Sequence, residues 1–110
     1  MSFVRACALS DVSQGSALAV EVGATDVAIV NTTEGVFAIH DVCSHGEVPL
    51  SEGDVDGTTI ECYMHGSRFD LRTGLPLELP ATVPVPVYPV QVAGDDILID
   101  LSNPIQSQEL

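Results

Sequence analysis

The sequence contains no lysine. Its three bases are all arginine (Arg5, Arg68 and Arg72), and they stand against sixteen acids, for a formal charge of −13. Such an excess disfavours nucleic acid and anionic membrane surfaces as partners and favours a basic protein partner. There is also no apolar run of the roughly eighteen residues that a membrane-spanning helix needs. After Arg5 no long apolar segment precedes a cleavage site, so the expectation is a soluble, cytoplasmic protein with no membrane partner. Cysteine is scarce: Cys7, Cys43 and Cys62 are the three, too few for a disulfide framework and consistent with a reducing compartment. No low-complexity block interrupts the chain. With 110 residues, 45% hydrophobic and 17% charged, the composition is that of one globular domain. A chain of this length buries roughly two-thirds of its unfolded surface.

What the sequence does hold is concentrated in two segments, Cys43-Ser44-His45-Gly46 and Cys62-Tyr63-Met64-His65-Gly66, with residues 46–61 between His45 and Cys62. Each presents one thiol and one imidazole close enough along the chain to face a single ion. Two chemistries fit such a set: a structural zinc site with two Cys and two His, or a [2Fe–2S] cluster with thiolates on one iron and imidazoles on the other. Zinc sites usually pair like ligands, a Cys pair and then a His pair. Here both pairs are mixed, Cys-x-His and then Cys-x-x-His. Of the other candidates, Cys7 sits in an apolar stretch and reads as a small buried hydrophobe. His40 reads as the end of a strand. With His45 and His65 committed, His40 alone cannot build a mononuclear iron site of two His and a carboxylate.

These segments resemble the Rieske family, whose pattern is C-x-H followed at a distance by C-x-x-H, with a glycine after each histidine and a serine where Ser67 stands. The resemblance implies one [2Fe–2S] cluster per chain, with Cys43 and Cys62 on one iron and His45 and His65 on the other, at the solvent-facing end. It also implies an all-β fold: an antiparallel sandwich or barrel-like base (1–40 and 81–102) carrying an inserted cluster-binding subdomain (41–80), with a loose tail at 103–110. The function it implies is one-electron carriage rather than catalysis. A soluble ferredoxin of this kind takes electrons from an NAD(P)H-dependent flavoprotein reductase and delivers them to a terminal non-haem iron dioxygenase. Residues 37–41 and 69–74 also look like small actinobacterial-type Rieske proteins associated with iron–sulfur assembly. A zinc-stabilised interaction domain is the third reading.

Read in order, the chain alternates short Val-, Ile- and Ala-rich segments with turn residues. Strands are expected at 3–7, 18–22, 27–31 and 36–40, with a helical turn at Ser10-Asp11 and turns at 23–26 and 32–35. Within the insertion, 58–61 and 67–71 are short strands. Residues 87–93 and 97–101 form a closing hairpin through Gly94-Asp95-Asp96. Pro76, Pro80, Pro84, Pro86 and Pro89 suit a rigid loop laid over the cluster, since the single PxxP, Pro86-Val87-Tyr88-Pro89, is not repeated as a polyproline ligand would have it.

Charge counting sets the redox expectation. Two ferric ions, two sulfides and two thiolates sum to zero, whereas four thiolates leave two negative charges. An electron is therefore added more easily than in plant-type ferredoxins, which lie near roughly −400 mV. High-potential Rieske proteins add a disulfide between the cluster loops, a serine hydroxyl and a tyrosine hydroxyl. Val48 and Met64 stand at the disulfide positions and Phe69 at the tyrosine position, so only Ser67 remains. The expectation is a potential in the lower part of the roughly −150 to +300 mV Rieske span. Glu47, Glu52, Asp54, Asp56 and Glu61 lie between the ligand segments with no base among them, a placement suited to docking a basic partner.

Overall fold

Ten short strands form three antiparallel sheets in the computed structural model, which describes residues 3–43, 48–63, 66–77, 84–102 and 104. Strand β1 (Val4–Ala8) leads through a 3-10 turn (Leu9–Asp11) to β2 (Ser16–Val22), β3 (Thr25–Thr32) and β4 (Gly35–His40). A second 3-10 turn (Leu50–Glu52) precedes β5 (Asp54–Asp56), β6 (Thr59–Glu61) and β7 (Arg68–Asp70). The chain closes with β8 (Val87–Tyr88), β9 (Val90–Ala93) and β10 (Asp96–Ile99). The sheet orders are β1-β10-β9, β2-β3-β4-β8 and β5-β6-β7.

The four-stranded sheet is the middle layer. Successive residues of a strand point to opposite faces, and in β3 both faces are covered: Val27, Ala28, Ile29 and Val30 are all fully buried. Val27 and Ile29 face a core shared with Ala38, Tyr88, Cys7, Ile97 and Ile99, closed by the β1-β10-β9 sheet. Ala28 and Val30 face the opposite core, with Ile39, Val87, Ile60, Phe69 and both Cys43 and Cys62. The two-sided burial explains why β3 reads as an apolar run rather than an alternation. One sheet thus carries a base core on one side and the thiol-bearing core on the other.

Three features depart from the expected strands. The segment 87–93 is not one strand. Val87–Tyr88 pairs with β4 (Ala38 with Tyr88, Ile39 with Val87), while Val90–Ala93 pairs with β10 in a different sheet. Pro89, between them, has no N–H for a ladder, and its carbonyl accepts the Asp100 N–H at 3.1 Å. A strand at Asp54–Asp56 was not expected from its two acids; Val55 alone points inward, opposite Ile60. The closing hairpin turns on two residues, since Ala93 pairs with Asp96. Gly94 takes the positive φ of +63° that the first turn position needs.

The helical turn expected at Ser10-Asp11 is the Leu9–Asp11 3-10 turn, where the Asp11 carboxylate accepts the Ala8 N–H at 3.1 Å. Pro80, at the centre of the expected covering loop, lies outside the described residues, as does most of the expected loose tail. Flanking that loop, Pro76 bridges to Phe69, and Val85 donates to the Gly74 carbonyl at 2.9 Å and joins the thiol-bearing core. Among the described residues no helix is long and apolar enough to cross a membrane.

Candidate metal centre

Cys43 follows β4 and Cys62 follows β6, and the two loops they open close alike. The Cys43 N–H donates to the Val48 carbonyl at 2.8 Å, and the Cys62 N–H donates to the Ser67 carbonyl at 2.7 Å. Each cysteine is thereby tied to the residue five positions on. In the second loop the Gly66 N–H also returns to the Cys62 carbonyl at 3.0 Å, and Gly66 adopts φ +77°. That left-handed backbone is open to glycine and strained for other residues. His45 and His65 fall inside these two closed loops by sequence and lie outside the described residues.

Both thiols are 1% exposed and free of disulfide, and both belong to one apolar core with Leu50, Ile60, Phe69, Leu71, Val85 and Val87. Two soft donors delivered from separate loops into a dry, apolar setting suit iron or zinc and not a hard cation, which would need oxygen ligands. The residues present therefore fit a thiolate-held [2Fe–2S] group. Ser67 is 1% exposed beside Cys62, and Phe69 is fully buried in the same core. The ring at the tyrosine position thus packs with the thiols and brings no hydroxyl.

The other residues considered from sequence take structural places. His40 is half-buried at the end of β4, its N–H donating to the Pro86 carbonyl at 2.9 Å; its Nδ1 has no hydrogen-bond partner among the described residues. Cys7 is buried in the base core, and desolvation pushes its thiol pKa up, away from reactivity. The Arg72 guanidinium reaches Glu34 at 3.5 Å and lies over the Phe37 ring at 5.9 Å, while Asp70 Oδ1 accepts the Arg72 backbone N–H at 2.8 Å. Arg68 faces Glu61 across β6 and β7.

Among the acids between the loops, Glu52, Asp54 and Asp56 are exposed, and Asp54 sits directly opposite Glu61 in the β5–β6 register. Like charges facing each other across a ladder repel. Three residues that sequence reasoning passed over also border the loops: Asp41, Ser51 and Gly53. Only Gly53, inside a Ser-Glu-Gly-Asp turn, carried any sequence signal. The Asp41–Ser51 contact joins residues ten apart through an irregular loop, which no periodicity reports.

The Rieske [2Fe-2S] domain matches residues 2–89. The chain is 43% identical over 104 residues to the biphenyl dioxygenase ferredoxin subunit of Pseudomonas sp. (strain KKS102), covering 94% of this chain and 95% of that protein. It superposes on the ferredoxin of carbazole 1,9a-dioxygenase from Nocardioides aromaticivorans IC177 with a TM-score of 0.84 at 38% identity, covering 90% of this chain and 97% of the other. A complex of reduced oxygenase and oxidized ferredoxin in carbazole 1,9a-dioxygenase contains a similar chain, with a TM-score of 0.81 at 38% identity and coverage of 88% and 91%. This chain belongs to the Rieske [2Fe-2S] domain family and carries one [2Fe–2S] cluster.

Proposed function

We propose that this protein is a one-electron carrier of the cytoplasm, accepting electrons from an NAD(P)H-dependent flavoprotein reductase and passing them to a terminal non-haem iron dioxygenase. The observation that carries the reading is the match of nearly the whole chain, at 43% identity, to a dioxygenase ferredoxin subunit of almost equal length. In this reading Cys43 and Cys62 hold one iron, and His45 and His65 hold the other. Residues 41–80 form the cluster-binding part on a base of 1–40 and 81–102, with 103–110 as a tail. The bound group supplies one reversible electron; the protein supplies its setting. Burial of Cys43 and Cys62 excludes water from the thiolate side. Phe69 withholds a hydroxyl that would favour the reduced form, keeping the potential in the lower Rieske range.

The acidic surface supplies recognition. Asp54, Asp56 and Glu52 are exposed, a concentration of negative charge that a basic partner surface complements. The test is stopped-flow reduction of a ring-hydroxylating oxygenase by the reduced protein across ionic strength. Transfer is expected to slow by about tenfold or more between 0.05 and 0.5 M salt as screening removes the attraction. The double variant D54N/D56N is expected to flatten that dependence. A rate indifferent to salt and to both substitutions would remove the acidic docking surface, and failure to reduce any dioxygenase component would remove the partner assignment.

A further inference from the structure

The two thiol-bearing loops come from different parts of the chain, and the apolar core between them is non-directional: it attracts without fixing a separation. Directional contacts bridge the loops through one short path. Asp41 immediately follows β4 and is 5% exposed. Its backbone N–H donates to the Asp26 carbonyl at 2.9 Å, anchoring it to the middle sheet. Its carboxylate holds Ser51 twice, accepting the Ser51 N–H on Oδ1 at 2.6 Å and the Ser51 hydroxyl on Oδ2 at 2.7 Å. In sequence, residues 42–50, which include Cys43, lie between these two positions. Charge-assisted hydrogen bonds in so buried a place are short and strong.

Two residues on, the path meets the second loop. Gly53 has φ −85°, a conformation any residue adopts, so its backbone shape does not call for glycine. Its contact does. A Cβ at position 53 would lie 1.8 Å from the Glu61 carbonyl oxygen, 2.9 Å from the Glu61 carbonyl carbon and 3.2 Å from the Leu50 carbonyl oxygen. All three are backbone atoms, which cannot swing aside as a side chain would. Glu61 immediately precedes Cys62, and the pairing of Asp54 with Glu61 sets Gly53 across from Cys62.

We infer that Asp41, Ser51 and Gly53 are positioning residues forming one linkage that sets the separation of the Cys43 and Cys62 loops, and with it how firmly the cluster is held and how its irons are ligated. The inference rests on the ligand set proposed above. Asp41 fixes where the first loop returns to the core. Gly53 fixes how closely that return presses on the residue before Cys62. Neither contact belongs to the base core, so disturbing them acts on the metal centre out of proportion to its effect on global stability.

The experiment compares the cluster-loaded protein with S51A, D41N, G53A and the base-core control I97V. For each, three quantities are read: the rate of iron loss to a ferrous chelator, the g values of the dithionite-reduced EPR spectrum, and Tm. S51A, which keeps the backbone N–H bond, is expected to lose iron a few-fold faster, and D41N about tenfold faster, on the strength of a buried hydrogen bond to a charged group. G53A is expected to shift the g values and speed iron loss. I97V is expected to lower Tm with release and g values unchanged. If D41N or G53A does not fold, S51A decides alone, since it removes one hydroxyl and creates no clash. Folded S51A with wild-type release, or release in all variants merely following Tm as in I97V, overturns the linkage. A wild-type protein with no Rieske signal overturns the ligand set itself, whereas a wild-type signal with unresponsive variants overturns the linkage alone.

Discussion

The two faces of the middle sheet are built by different means. On one face, Val27, Ile29, Ala38 and Tyr88 meet Ile97, Ile99 and Cys7 from a regular three-stranded sheet. On the other, Ala28, Val30, Ile39 and Val87 meet short strands, a 3-10 turn and two loops that carry the thiols. The first core is held by apolar area, which tolerates small shifts. The second adds point contacts with defined atoms: Cys43 N–H on Val48, Cys62 N–H on Ser67, Asp41 on Ser51 and Gly53 against Glu61. The base is therefore expected to bear chiefly on global stability, and the opposite side in addition on whether the metal is held in one geometry. Substitutions on the two faces should separate these properties.

The largest separation is expected from C62S. The hydroxyl is a poor substitute for a thiolate on iron, so iron content and visible absorbance should fall to near zero. The base strands should persist in far-ultraviolet circular dichroism of the purified variant. A variant with full iron content would break the assignment of Cys62. On the opposite face, I29A removes a fully buried side chain, and such truncations cost about 2–5 kcal/mol. Denaturant titration should show that loss while the EPR spectrum of the remaining folded protein is unchanged. A changed spectrum would mean that the two cores are not independent.

F69Y sharpens the comparison within the metal-bearing face. Phe69 is fully buried in the core that holds both thiols. A hydroxyl that reaches a cysteine sulfur should raise the reduction potential by about 40 mV, the electrochemical equivalent of a hydrogen bond worth ~1 kcal/mol. Protein-film voltammetry reads this directly. An unchanged potential with a lowered Tm would show that the hydroxyl is buried without a partner.

The smallest effect expected is in the base core. Burial raises the pKa of Cys7 above its model-compound value of 9.0. The unfolded chain therefore releases this proton first as pH climbs. Between the unfolded and folded pKa values the native state binds more protons, and stability falls with rising pH. The contribution is fully present below pH 9 and is lost above it. In C7A that component is absent, so the wild-type and C7A denaturation curves should converge or cross above pH 9. Parallel curves from pH 7 to 10.5 would contradict the burial effect.

The metal-ligand spacing and most of the strands were legible in the sequence because each is a local pattern. Mixed Cys and His pairs stand within three residues, and short apolar runs are bounded by Gly, Asp and Thr turns. What was not legible is long-range. Pro89 reads as part of a strand until the pairing of Tyr88 with Ala38 and of Val90 with Ile99 shows the chain changing sheets there. Asp54–Asp56 becomes a strand only because β6 pairs with it and Val55 finds the core. Asp41, Ser51 and Gly53 look like loop residues until their contacts with one another and with Glu61 are seen.

Whether these loops hold a Rieske cluster that serves as a one-electron carrier is read most directly from a low-temperature EPR spectrum of the purified protein before and after dithionite, with iron and zinc counted on the same sample. An EPR-silent oxidised form, a rhombic reduced signal of low average g and about two irons per chain are expected, as a [2Fe–2S] group requires. One zinc per chain and no signal on reduction would contradict a Rieske cluster.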